Sequence, residues 1–170
     1  MAQVIDPIAL IQNWLNQERG MRWAPQWDGG YERWAQGAWA VYFDVNYNGA
    51  ITAQPEPHVY VSDGQRADLV FQAHGHNPAS VEMKCKLSGD DEKKFTDKVW
   101  ADVKKSKTGL NGHWANLNTT RWVIALSVSP NDTERKKIGE LLAVGTQGGF
   151  AHSEVHAYAT GPIDIWSWSI

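Results

Sequence analysis

Apolar residues recur at helical spacing from the start of the chain: Ile5, Ile8, Ile11 and Leu15 line one face of residues 5 to 19, with Gly20 beyond. That spacing predicts a short amphipathic helix, followed by a loop rich in Trp, Pro and Gly. Tyr31 to Phe43 has no proline, and Trp39 and Phe43, like Glu32 and Gln36, stand four apart, which suits a second helix. After the turn signal Asn48-Gly49, Ile51 to Ser62 has strand character broken by Pro55 and Pro57, which confine it to an edge or an irregular strand. Arg66 to Gln72 and Ser80 to Leu87 are short β-rich runs separated by His74-Gly75-His76-Asn77-Pro78, and read as a hairpin. Between Asp90 and Lys107, Phe95, Val99 and Val103 recur every four positions under a lysine-rich face, and the helix they predict ends before Gly109. Arg121 to Val128 reads as a buried strand. Asn131 and Glu134 are spaced as an N-cap and its partner, ahead of a helix buried through Ile138, Leu141 and Leu142. Glu154 to Thr160 and Ile163 to Ile170 read as final strands. The order is roughly ααβββαβαββ, a mixed α/β class.

Composition narrows the class. With 170 residues, 42% apolar, 21% charged and a net charge of -3, the chain is expected to form one globular domain, which excludes disordered and collagenous classes. No run approaches the ~20 consecutive apolar residues that span a bilayer, and the N-terminus lacks the pattern of a secretory signal, so a soluble, cytoplasmic protein is expected. Cys85 is the single cysteine, which rules out an internal disulfide and a multi-thiolate zinc site. The negative balance gives no general attraction to a polyanion, so a nucleic-acid partner would need a local basic patch.

The hairpin carries the candidate chemistry. Strand alternation puts Val81, Met83 and Cys85 on one side and Glu82 and Lys84 on the other, while Asp68 projects opposite to Leu69 and Phe71. Hairpin pairing then brings Asp68 within reach of Glu82. A carboxylate and an ammonium in the middle of an apolar strand need a polar cleft or partners. Two carboxylates a few ångströms apart repel unless a cation lies between them, and Mg²⁺, a hard ion that accepts carboxylate and phosphate oxygens, answers that need. A neighbouring lysine could orient a nucleophilic water and neutralise charge building on phosphorus.

Asp68 followed by Glu82-Met83-Lys84, within Ala67-Asp68-Leu69-Val70-Phe71 and Val81-Glu82-Met83-Lys84, resembles the motif of the PD-(D/E)XK nuclease superfamily, also called restriction-endonuclease-like. Ala67 stands where the motif has its proline. Glu32 and Gln36 match the helix position where members often carry a glutamate and a glutamine near the metal, and Glu56 is a weaker echo of another acidic position. The resemblance covers residues 30–128, leaving the helix and Trp-rich loop of 1–29 and the helix and strands of 129–170 outside it. It implies a restriction-endonuclease-like mixed sheet flanked by helices, and a hydrolase of phosphodiester bonds that uses Mg²⁺ or Mn²⁺. Its substrate would be DNA before RNA, cut with low sequence specificity. It further implies that Asp68, Glu82, the Met83 carbonyl and Glu32 hold metal, that Lys84 acts on water and phosphorus, and that Gln36 supports the site. Lys98 would border the cleft, with Lys104, Lys105 and Lys107 forming the basic strip. A symmetric homodimer would allow both strands to be cut.

Competing readings remain open at this level. The lysines of residues 90–107 equally suit a solvated face paired with Asp90, Asp91, Glu92, Asp97 and Asp102. His74 and His76 lie in a polar turn and His152 and His156 flank a strand, all without a second cluster at ligand spacing. Cys85 is expected to be inert on the apolar face. Ten tryptophans, with Trp23 and Trp27 in the Pro/Gly loop, also allow a non-catalytic binding module, and an inactive nuclease-like scaffold is a third class.

Overall fold

The computed structural model describes residues 3–17, 30–62, 64–86, 90–128, 130–144, 150–157 and 161–170. Trp23, Trp27 and the His156 side chain lie outside the described residues. The elements run β1 (Gln3–Val4), α1 (Pro7–Gln17), α2 (Gly30–Tyr47), β2 (Ile51–Pro55), β3 (Leu69–Ala73), β4 (His76–Asn77), β5 (Ala79–Lys86), α3 (Glu92–Ser106), α4 (Gly112–Asn116), β6 (Thr120–Val128), α5 (Asp132–Ala143), β7 (Ala151–Ala157) and β8 (Gly161–Ser169). The short elements β1, β4 and α4 are additions to the expected order; two-residue strands and a single-turn helix leave no periodic signal.

Among the described residues, six strands form one mixed sheet in the order β2-β3-β5-β6-β8-β7, in which only β5 and β6 are parallel. A parallel neighbour requires a crossover, and α3 supplies it. Asp91 caps α3 by accepting from the Lys94 N–H at 2.7 Å, and Asn131 and Glu134 close the expected capping box on α5. α2 extends to Tyr47, past the expected end near Phe43, because its β-branched tail residues Val41 and Val45 project into solvent and place no demand on the core.

The alternation along β6 divides the core in two. Ile124 and Leu126 join Phe71 and Met83 beneath Trp14 of α1 and Trp39 and Phe43 of α2. Val123 and Ala125 face the other way, against Phe95, Val99 and Val103 of α3 and Ile138 and Leu142 of α5. The result is a mixed α/β protein with helices on both faces of the sheet. The eight described tryptophans are all buried or half-buried, and Trp14 and Trp39 meet edge to face at 5.4 Å, so these indoles build core.

A third, small cluster of Val59, Tyr60, Ala67, Val70 and Trp114 anchors the irregular stretch between β2 and β3. A bridge between Tyr60 and Leu110 ties this stretch to the chain leaving α3. It positions Tyr60 for the site described next. Among the described residues, no helix is long and apolar enough to cross a membrane.

Candidate active site

Pairing between β3 and β5 ends at Leu69 with Val81, while β5 continues to Lys86. The Met83 peptide edge is thereby released from the β3 ladder. Its N–H donates to Asp68 Oδ2 at 2.7 Å, and its carbonyl accepts from Lys84 Nζ at 3.0 Å. Asp68 was expected inside the strand but occupies the bend just before β3. Satisfying the orphaned Met83 N–H fixes its carboxylate at the point where the strands part.

The side-chain alternation of β5 holds as expected. Val81 and Met83 are fully buried in the core under α1 and α2, and Cys85 packs against that core, where burial pushes its thiol pKa up. On the opposite side Glu82 is fully buried, with Oε1 accepting from the Tyr60 hydroxyl at 2.6 Å and Oε2 from Lys105 Nζ at 2.7 Å. Burial first, and then the Asp68 charge, push the Glu82 carboxyl up to about 7, against the opposing pull of Lys105 and Tyr60. Burial and the adjacent Glu82 in turn raise the Tyr60 phenol, which therefore stays a proton donor.

Lys84 Nζ sits among oxygens: 2.9 Å from Glu32 Oε1, 3.1 Å from Asp102 Oδ2 and 3.7 Å from Asp68 Oδ2. Burial alone would lower its pKa, but Asp68, Asp102 and Glu32 together outweigh burial and raise it, so Lys84 remains an ammonium. Burial raises Glu32 and Asp102, each partly offset by Lys84. Gln36, one turn beyond Glu32 on α2, is buried.

Asp102 corrects the reading of α3 as a solvated face. It is 8% exposed and turned inward beside Val99 and Val103. Helical spacing held the signal, because Val99, Asp102 and Ser106 lie three and four apart, on the flank of the apolar stripe. Tyr60 had no such signal. The four lysines of the expected strip are not brought together in one role: Lys105 is bound to Glu82, Lys107 lies 5.2 Å over the Trp168 ring, Lys104 is exposed at the end of α3, and Lys98 lines a groove with Glu32 and Lys84. Glu56 is exposed and pairs with Arg66 at 3.5 Å, away from the cluster.

Ligand oxygens of Asp68, Glu82 and Asp102 all lie within 4.8 Å of one another. Two observations test whether these residues suit a cation. Four carboxyl groups, Glu32, Asp68, Glu82 and Asp102, face two ammonium groups, Lys84 and Lys105, an excess that would match one divalent ion once the raised carboxyls give up their protons to it. Asp102 Oδ2 is buried and has no aligned hydrogen-bond donor, although Lys84 lies 3.1 Å away. An all-oxygen donor set with a buried carboxylate oxygen held by an ion pair rather than by an aligned donor fits a hard divalent ion. No family model, curated protein or solved structure matches the chain.

Proposed function

We propose that this protein is a metal-dependent phosphodiester hydrolase of the PD-(D/E)XK, restriction-endonuclease-like type, acting on DNA with low sequence specificity. The observation that carries the reading is the convergence of Asp68, Glu82 and Asp102 within 4.8 Å, with the Lys84 ammonium among them. Supporting it, residues 30–128 run as a helix, an antiparallel β2-β3-β5 meander, a crossover helix and a parallel strand, in the order that the resemblance implies.

Asp68, Glu82 and Asp102 would hold Mg²⁺ or Mn²⁺, with the Met83 carbonyl and Glu32 at the margin of the site. When bound, such an ion supplies Lewis acidity toward a phosphate oxygen and toward the attacking water. Lys84, kept protonated by its three carboxylate neighbours, would orient the nucleophile through its N–H groups and stabilise negative charge on phosphorus; it is not free to act as a base. Glu32 holds Lys84 in place at 2.9 Å, and Gln36 is buried one turn further along α2. Tyr60 and Lys105 fix the rotamer of Glu82 from both of its oxygens.

A second reading, a nuclease-like scaffold without catalysis, draws on one fact: Lys84 and Lys105 already neutralise part of the cluster. Incubation of plasmid, linear single strands and RNA with the protein, with and without Mg²⁺ and beside Lys84→Ala, separates the two. Hydrolysis is expected with Mg²⁺ and absent in Lys84→Ala. No cleavage of any substrate, together with an unchanged melting temperature at millimolar Mg²⁺, would overturn it.

A further inference from the structure

Consecutive residues near the start of α2 line two different grooves. Glu32 lines one, of about 380 Å³, together with Lys84, Asp90, Asp91, Lys94 and Lys98. The next residue, Arg33, lines the other, of about 410 Å³, with Gln36, Gly37, Pro55, Glu56 and Arg66. Their charges differ in a way that decides which can hold a polyanion. The first sets three carboxylates against three ammonium groups and is balanced. The second sets two guanidinium groups against one carboxylate and is net positive.

Resting on the hydrolase reading above, we infer that the groove of Arg33, Gln36, Gly37 and Arg66 is the track that holds the phosphodiester backbone of a nucleic-acid strand next to the acidic cluster. In a chain with a net charge of -3, binding a polyanion needs such a local excess of cations. Arg33 has no ion-pair partner among the described residues and is exposed. Arg66 pairs with Glu56 at 3.5 Å with both side chains at least half exposed, an arrangement too weak to compete with phosphate. The groove is joined to the chemistry through the chain itself. Arg66 precedes Asp68 by two residues, and Arg33 and Gln36 follow Glu32 by one and four residues on α2. Gly37 leaves the groove floor open, since a Cβ built there meets nothing within 4 Å.

The test measures binding of labelled single-stranded DNA, single-stranded RNA and duplex DNA of one sequence by fluorescence anisotropy in chelator across a salt series. A parallel measurement follows cleavage in Mg²⁺. Arg33→Ala/Arg66→Ala is expected to weaken binding at least tenfold and to flatten the single-strand salt slope by about 1.4, the loss of two phosphate contacts. Gly37→Glu, which enters open space on a helix and can be checked for an unchanged melting temperature, should weaken binding as well. Lys136→Ala, outside both grooves, removes one charge as a control. If the wild type cleaves with Mg²⁺ but both groove variants keep its affinity, salt slope and KM, the track is overturned and the hydrolase reading stands. If the wild type neither binds nor cleaves any of the three nucleic acids, both fall. The DNA and RNA arms show which backbone the groove prefers.

Discussion

The Met83 N–H donates to Asp68 Oδ2 at 2.7 Å across the gap where β3 and β5 separate. One hydrogen bond thus does two things: it satisfies a strand-edge donor and turns a carboxylate toward Lys84 and Glu82. The same divergence frees the Met83 carbonyl, so the candidate site is a consequence of where the sheet splits.

Lys84→Ala should expose the charge problem that the ammonium solves. Without it, Glu32, Asp68 and Asp102 lose their shared cation, and removing one partner of a largely buried ion cluster costs about 3 kcal/mol. The variant is expected to melt lower than wild type in chelator and to gain more from Mg²⁺, while cleaving nothing. Differential scanning calorimetry with and without Mg²⁺ reads both effects. An equal Mg²⁺ shift in the two proteins would show that the ion and Lys84 do not answer the same carboxylates.

Metal binding should depend on pH through Glu82. Its carboxyl is raised from an ordinary 4.5 to about 7, so between these values the native state holds a proton that the unfolded state has lost. Stability of the metal-free protein from this group is therefore greatest below the lower value and declines as pH rises toward 7. Mg²⁺ needs the carboxylate, so its affinity should rise up to about tenfold per pH unit below 7 and level off above. Isothermal titration between pH 5.5 and 8.5 checks the trend, and Glu82→Gln should abolish it.

Asp102→Asn keeps shape and removes charge. The amide oxygen is neutral and a weaker ligand for a hard ion than the carboxylate, so the Mg²⁺ concentration needed for half the thermal shift should increase roughly tenfold. Fold and secondary structure should persist, as circular dichroism would report. An unchanged Mg²⁺ midpoint would remove Asp102 from the ligand set.

Asn131→Ala tests the fold independently of the site. It breaks a reciprocal pair in which Asn131 Oδ1 accepts from the Glu134 N–H and Glu134 Oε2 from the Asn131 N–H, each at 2.9 Å. Denaturant unfolding should show a loss of about 1 kcal/mol, with Mg²⁺ affinity unchanged.

The amino-acid sequence by itself determined what repeats at short range. Three- and four-residue spacing marks α1, α2 and α3, an N-cap and its partner mark α5, and two-residue alternation sorts Val81, Met83 and Cys85 from Glu82 and Lys84 on β5. Those periods are properties of the local backbone and survive without any neighbour. The tertiary structure decided the company these residues keep. Asp102 sits among lysines in the chain and faces Lys84 only because α3 crosses from β5 to a parallel β6. Tyr60 reaches Glu82 through a bridge to Leu110, fifty residues downstream, and Lys105 is drawn from an expected basic strip to a buried carboxylate. Contacts of that kind arise from chain crossing and from the cost of burying charge unpaired, and neither leaves a period in the sequence.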